Sequence, residues 1–443
     1  MNPIPDYSRR FFIKTSSLAV AGAVSSNMLL GAPKGKTTTN ANPGPFTPNG
    51  DTLKVGLIGC GGRGTGAASQ ALNADKNVMI TAMGDAFSDQ MQQSFKTLKG
   101  EFGDRVAADP DHQFIGLDAY KKVIDSGVDV VLLASPPGFR PVHLKYAVEK
   151  NKHIFTEKPM AVDGPGIRSV LQTVAESKKK NISMVAGFCW RYHYPKRATF
   201  QQLHDGAIGD IHSIYTTYLT GRVAKESSPY VRSNTKSDLD WMVRRWYFFT
   251  WLSGDHLVEQ AVHSIDKMAW AMNDTDPVSC MALGGRQVRT EAECGNIYDH
   301  FSVVYDYPKG VKGFHLCRQQ DKCDGGVMEH IAGTKGLCHM QGDIHQITGE
   351  KKWKYEGPQN NMYQTEHDEL FAAIRAGKPI NDGDRMIKST ALAIMGRMAA
   401  YTGKQITWDD CLNSKEQVGP VNPAWDTDVP VPKVAMPGHT PFI

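Results

Sequence analysis

The run Leu53-Lys54-Val55-Gly56-Leu57-Ile58-Gly59-Cys60-Gly61-Gly62-Arg63-Gly64 constrains the fold of this chain more than any other stretch. A β-favouring segment passes directly into a GxGxxG turn, and a helix-compatible segment over 65–72 follows. Glycines at these positions permit a tight turn and a close approach of backbone to a ligand, and the first turn of the helix offers unpaired N–H groups to a pyrophosphate. Asp85 closes the next β-favouring run, 21 residues beyond Gly64, where a carboxylate can accept from both hydroxyls of a ribose. Together these features predict a dinucleotide held by Gly59, Gly61, Gly62, Arg63, Gly64 and Asp85. Asp85 repels a 2′-phosphate and no arginine follows it closely, so NAD is favoured over NADP.

Further short apolar runs at 78–83, 128–134, 153–155 and 182–187 alternate with helical segments at 118–125 and 141–150. Strands alternating with helices imply parallel pairing, so residues 51–187 are expected to form a doubly wound sheet whose ligands sit at the carboxyl ends of its strands. Beyond Gly209 the texture changes to longer β-rich pieces at 211–221, 278–285, 300–307, 310–317 and 328–332. The turn Tyr307-Pro308-Lys309-Gly310 joins two of them as a hairpin, so a second α/β domain over 188–412 with an open, largely antiparallel sheet is expected. Helices over 365–376 and 384–401 close this domain, the second of them free to pack back on the first domain. The tail 413–443, with prolines at 420, 423, 430, 432, 437 and 441, reads as disordered or as an extended arm lying on a neighbouring surface.

With 443 residues, 41% of them hydrophobic, the chain can bury a large core. Its net charge of +4 is spread without a basic block, which argues against nucleic acid as the main partner. The first segment, Ser8-Arg9-Arg10-Phe11-Phe12-Ile13-Lys14 followed by a short, weakly apolar stretch, reads as a signal peptide and closely resembles a twin-arginine export signal. That implies a protein exported folded to the periplasm, with residues 1–50 serving as leader and linker and no membrane segment remaining after processing. His315, Cys317, Cys323, His330, Cys338 and His339 crowd one region, but alternating strand residues produce such crowding and no metal is expected.

Two stretches carry chemistry. Thr156-Glu157-Lys158-Pro159-Met160 follows the apolar run 153–155, which places Glu157 and Lys158 at the carboxyl edge of the sheet where a nicotinamide rests. An ammonium there can hydrogen-bond a substrate hydroxyl and favour the oxyanion that develops as hydride leaves. The segment 254–270, read as one helix, puts Glu259, His263, Asp266 and Trp270 on a single face. His263 is the candidate base, because imidazole titrates near neutral pH.

The glycine loop, the Glu157-Lys158-Pro159 motif, the segment 203–211 and Ala332-Gly333-Thr334-Lys335-Gly336 together resemble the Gfo/Idh/MocA family, sugar-active oxidoreductases with a Rossmann domain and a C-terminal α/β domain. The resemblance covers 53–408. It implies that Lys158 contacts both cofactor and substrate, that His263 is the acid/base with Asp266 beyond it, and that Glu259 stands where many members carry Asp. It also implies that Arg191, Tyr192 and His193 line the substrate site, and that the chain forms a homo-oligomer, a dimer or a tetramer. The leading expectation is oxidation of a ring hydroxyl of a sugar or glycoside with a tightly held NAD. A glycosidase or lyase working by transient oxidation ranks second, although the tyrosine- and histidine-rich motif of the family's glycosidases is not evident, and a non-catalytic sugar or cofactor binder ranks third. The aromatic cluster of Trp241, Trp246, Tyr247, Phe248, Phe249 and Trp251, interleaved with Arg244 and Arg245, fits either a sugar-stacking surface or plain packing.

Overall fold

The computed structural model describes residues 50–223 and 229–443; the export signal expected near the start of the chain lies outside the described residues. The first domain runs β1 (Leu53–Ile58), α1 (Gly62–Ala74), β2 (Val78–Asp85), α2 (Ser88–Phe102), β3 (Gln113–Ile115), α3 (Ala119–Asp125), β4 (Val130–Leu133), α4 (Arg140–Glu149), β5 (His153–Thr156), α5 (Gly164–Lys179) and β6 (Met184–Ala186). All six strands pair in parallel, in the order β3-β2-β1-β4-β5-β6. Every residue of β4, β5 and β6 is buried, as expected where helices cover both faces of a parallel sheet. The strand order reverses between β1 and β4, and the crevice outside their carboxyl ends is where such sheets bind ligands.

The second domain contains α6 (Tyr194–His204), β7 (Ile211–Thr220), α7 (Asp238–Arg244), α8 (Thr250–Ser253), α9 (His256–Glu259), α10 (Val262–Ala271), β8 (Ser279–Gly285), β9 (His300–Asp306), β10 (Lys312–Gln319), β11 (Gly326–Gly333), β12 (Gly336–Gln341), β13 (Ile344–Gly349), β14 (Trp353–Lys354), α11 (Met362–Arg375), α12 (Gly383–Thr402), β15 (Ile406–Thr407) and α13 (Trp408–Asn413). Its nine strands run β14-β13-β12-β11-β7-β10-β9-β8-β15. Only β7 and β10 pair in parallel. Residues of β10 alternate between faces: Gly313 and His315 point inward, and Phe314 points outward. Met281, Leu283 and Leu337 are likewise exposed, so the sheet keeps an open face with apolar residues on it. Among the described residues no helix is long and apolar enough to cross a membrane.

One expectation changes. The segment 254–270 is two helices, not one. Gly254 (φ 82°) and Asp255 (φ 74°) turn the chain left-handed, the N–H groups of Gln260 and Ala261 both donate to the His256 carbonyl, and the helix restarts at Val262. The tail beyond Asn413 lies extended on its own chain: Val418 N–H donates to Asp163, Tyr298 Oη to the Ala435 carbonyl (2.9 Å) and Gly438 N–H to the Thr402 carbonyl (2.9 Å). In the histidine- and cysteine-rich region, His315 is buried beside Thr216, and His330 stacks on His339 across β11 and β12. No group of three potential metal ligands converges among the described residues.

One helix binds the halves together. Helix α12 is buried on nearly its whole circumference, the signature of a helix with protein on every side. It accepts from Met160 N–H at Thr390 Oγ1 (3.1 Å), donates from Arg397 to the Val162 carbonyl (2.5 Å) and donates from Ser389 to Asp266 (2.7 Å). Within the second domain, Glu329 of β11 is wholly buried between Lys196 of α6 (2.8 Å) and Lys267 of α10. Burial pushes the Lys267 ammonium down to about 8, and Glu329 opposes that shift. Glu329→Ala leaves two buried ammonium groups without their counter-ion, and is expected to lower the unfolding free energy by roughly 3 kcal/mol in urea titration.

Candidate active site

The glycine loop fits a dinucleotide. Gly59 has φ 92°, and a Cβ there would stand 2.5 Å from the Ser135 backbone nitrogen; one on Gly64 would stand 1.8 Å from the Gly59 carbonyl oxygen. Both positions therefore require glycine. Gly61 and Gly62 instead face open space, and α1 starts without a side-chain cap, so its first N–H groups are available to phosphate oxygens. The loop borders a cavity of about 280 Å³ lined further by Asp85, Phe87, Ser135 and Pro136.

Asp85 lines this cavity and ties the loop. Its Oδ2 accepts from Cys60 N–H (2.7 Å) and its Oδ1 from Phe87 N–H (2.9 Å). Burial raises its pKa, and those two hydrogen bonds act against the rise. Hydrogen bonds to charged groups contribute about 1.5–3 kcal/mol, so Asp85→Asn should weaken NAD binding roughly tenfold or more while NADP is penalised less. The ratio of the two dissociation constants, from fluorescence titration, checks this; an unchanged ratio removes Asp85 from cofactor selection.

The second cluster forms where β5 ends. Lys158, whose peptide bond to Pro159 is cis, donates from Nζ to Glu259 Oε1 (2.6 Å) and to the Glu259 carbonyl. Glu259 is buried and its Oε2 has no hydrogen-bond partner, leaving one acceptor for a further donor. His263, one turn along on α10, is 8% exposed, and its Nδ1 is buried without a partner. Burial first, then the ammonium charges of Lys158 and Lys267, hold the His263 imidazole well below its ordinary pKa. It is therefore an uncharged ring facing a cation, able to accept a proton at neutral pH.

Arg63 and Glu157 meet each other. Arg63 Nε donates to Glu157 Oε1 at 2.5 Å, which closes the glycine loop onto the end of β5. Glu366 of α11 lies near this pair, wholly buried with neither carboxylate oxygen partnered. Burial, then the charge on Glu157, raises its pKa well above the ordinary carboxylate value, and Arg63 acts against the rise. No sequence motif marks Glu366, because α11 reaches the loop from more than three hundred residues away.

The remaining expected substrate residues are engaged within the protein. Arg191 binds Asp266 through Nε (3.0 Å) and Nη2 (2.9 Å), and Ser389 donates to the same carboxylate. Tyr192 Oη donates to Asp382 (2.8 Å). These contacts use the hydrogen-bonding atoms that a sugar would otherwise take. The His193 ring lies 5.6 Å from that of His345, and burial pushes it down to about 4. Of the five residues expected to bind substrate, Glu259 alone contacts Lys158 among the contacts described.

The aromatic cluster belongs mainly to a core of its own. Trp241, Phe248, Phe249 and Trp251 are buried there with Leu239 and Ile297. Arg244 and Trp246, with Tyr230, instead reach the cavity beside the glycine loop. Their spacing gave no hint of this, because the contact joins positions more than 140 residues apart.

Comparison with known proteins agrees with this arrangement. Residues 53–185 match the Gfo/Idh/MocA oxidoreductase family's NAD-binding Rossmann fold, and residues 197–339 match the Gfo/Idh/MocA C-terminal domain. A glycosyl hydrolase family 109 protein of Shewanella pealeana is 26% identical over 210 residues, 46% of this chain and 44% of that protein, so the match spans less than half of either. Inositol 2-dehydrogenase of Rhizobium meliloti is 22% identical over 325 residues, 72% of this chain and 86% of that protein. In three dimensions the chain resembles aldose-aldose oxidoreductase from Caulobacter crescentus, crystallised with glycerol, at a TM-score of 0.64 and 18% identity over 80% of this chain and 99% of that one. The two profile matches together span more than half of the sequence, in the order in which the two domains occur, and the chain belongs to the Gfo/Idh/MocA family of oxidoreductases, with an NAD-binding Rossmann domain.

Proposed function

We propose that the protein is a periplasmic oxidoreductase that oxidises a ring hydroxyl of a sugar or glycoside to a ketone, with a tightly held NAD. The observation that carries this reading is the buried Lys158–Glu259 ion pair with His263 one helical turn beyond Glu259, its buried imidazole held uncharged in part by the Lys158 ammonium. Bound NAD supplies the hydride acceptor. Lys158 donates a hydrogen bond to the substrate oxygen and favours negative charge there as the C–H bond breaks. His263 takes the hydroxyl proton. Glu259 holds Lys158 in place, and its free Oε2 can accept from a neighbouring hydroxyl, which suits a polyol ring. The similarity to inositol 2-dehydrogenase supports this substrate class.

Export rests on the twin-arginine resemblance around Arg9 and Arg10. A protein that crosses the membrane folded can collect NAD in the cytoplasm, and a retained cofactor must then be regenerated in place, by a second sugar or by the same one. The exposed apolar residues Met281, Leu283, Phe314 and Leu337 on the open sheet face favour a homodimer formed through that face.

A second reading is favoured by the glycosyl hydrolase family 109 match: oxidation acidifies the neighbouring carbon, the aglycone leaves by elimination, water adds to the unsaturated ketone, and return of the hydride gives the free sugar. Incubation with a panel of simple glycosides separates the two by mass spectrometry. A product two daltons lighter supports oxidation, and released aglycone supports elimination. Neither product from any glycoside in the panel, with NAD bound, counts against both.

A further inference from the structure

We propose that residues 229–249, contributed by the second half of the chain, form a strap over the adenosine end of the NAD crevice, that Tyr230, Arg244 and Trp246 are cofactor-binding residues, and that unlatching of this strap limits dinucleotide release. The proposal rests on NAD occupying the crevice, and not on the sugar chemistry. Asp85 marks the ribose end of the cavity, and Phe87 lies two residues beyond it. Tyr230, Val243, Arg244 and Trp246 line the same cavity from the second half of the chain. The site is therefore walled by both halves.

The latch is specific. The Arg244 guanidinium lies 3.8 Å from the centre of the Phe87 ring and 4.2 Å from that of Tyr230, so one cation covers two aromatic faces. Its Nη1 stands 3.3 Å from Asp89 in the first turn of α2, its Nε donates to Asp240 (3.1 Å), and Tyr230 Oη donates to the same Asp89 carboxylate (2.7 Å). Asp89 thus holds both residues of the strap to the nucleotide-binding half. The strap is anchored behind by Trp241 Nε1 donating to Glu293 (2.8 Å), and the tail adds Trp425 against Phe87, with ring centres 5.5 Å apart.

This arrangement differs from ordinary packing between the halves, which α12 already supplies away from the crevice. Arg244 and Tyr230 border the cavity and hold each other by contacts that water can replace, since the Asp89 side chain is 42% exposed. Release of Arg244 and Tyr230 from Asp89 uncovers the cavity while Trp241, Phe248 and Phe249 of the same segment stay in their core. The strap slows exit more than it strengthens the contacts to the nucleotide.

The test uses the full chain with NADH bound and no sugar present, so it does not depend on any assigned substrate. Bound NADH is chased with excess NAD, and release is followed by loss of nicotinamide fluorescence. Arg244→Ala and Asp89→Asn should each speed release about tenfold, a change equivalent to about 1.4 kcal/mol. Raising the salt concentration should speed the parent but not Asp89→Asn. Asp89 is not among the cavity-lining residues, so acceleration in that variant reports the latch and not a lost wall. Release within twofold of the parent in both variants, with unchanged thermal midpoints, overturns the proposal. Acceleration in Arg244→Ala alone overturns the Asp89 latch.

Discussion

Lys158→Met should lower kcat with a sugar substrate by about 10³-fold and leave NAD bound, because removing one donor that acts on developing oxyanion charge has effects of about that size. Methionine keeps the stem and removes the ammonium. The loss should fall on kcat more than on KM, since the hydrogen bond is strongest as the oxygen gains negative charge. The variant also strands Glu259, whose Oε1 then loses the Lys158 ammonium and whose Oε2 already has no partner. Binding of a sugar analogue, followed by tryptophan fluorescence, separates this loss from the effect on the chemical step. Full kcat in Lys158→Met with normal NAD binding would remove the lysine from the chemistry.

The second large effect is expected at His263. Replacement by Asn, which keeps a polar group but cannot hold the proton, should slow turnover by 10²–10⁴-fold, the usual range for a positioned general base. The pH profile gives the sharper test. A base works only when unprotonated, and a depressed pKa extends the unprotonated range downward. Oxidation by the parent should therefore persist below about 6.5, where a free imidazole is half protonated, with the acid limb of kcat/KM displaced to lower pH. Lys158 supplies part of that depression, so its loss should bring the His263 titration back up toward the ordinary range, as read by NMR of the imidazole protons. A His263 titration at the ordinary value in the parent would contradict the buried geometry described above.

The sequence was most readable where chemistry and neighbourhood are local. The glycine loop, Asp85, Lys158 and the strands of the first sheet are legible because fully buried parallel strands leave continuous apolar runs, and because ligands sit where such runs end. Strand β3, only three residues long and at the sheet edge, carries no such run. Strands β12 and β13 escape notice because their burial does not follow polarity: Leu337 and Ile344 are exposed while His345 is buried. Neither glycine nor proline marks the break between α9 and α10, where Gln260 and Ala261 N–H share the His256 carbonyl, and the turn at Asp255 before α9 is set by Tyr298 N–H (2.7 Å) and Tyr401 (2.5 Å) donating to its buried carboxylate from distant segments. Arg191 and Asp266 looked like sugar ligands for the same reason: a polar residue near a crevice announces its chemistry, and only tertiary pairing across 75 positions reveals that it is already engaged.

Helix α12 has a consequence for movement. Its residues contact the loop that follows Pro159, the segment bearing His263 and the interior of the larger sheet, all without reaching solvent. Rotation of one lobe against the other would shear that buried cylinder from both walls at once, so breathing by a wide hinge is not available to this molecule. Access of sugar is left to small displacements at the rim, and heating should melt the lobes in a single calorimetric transition.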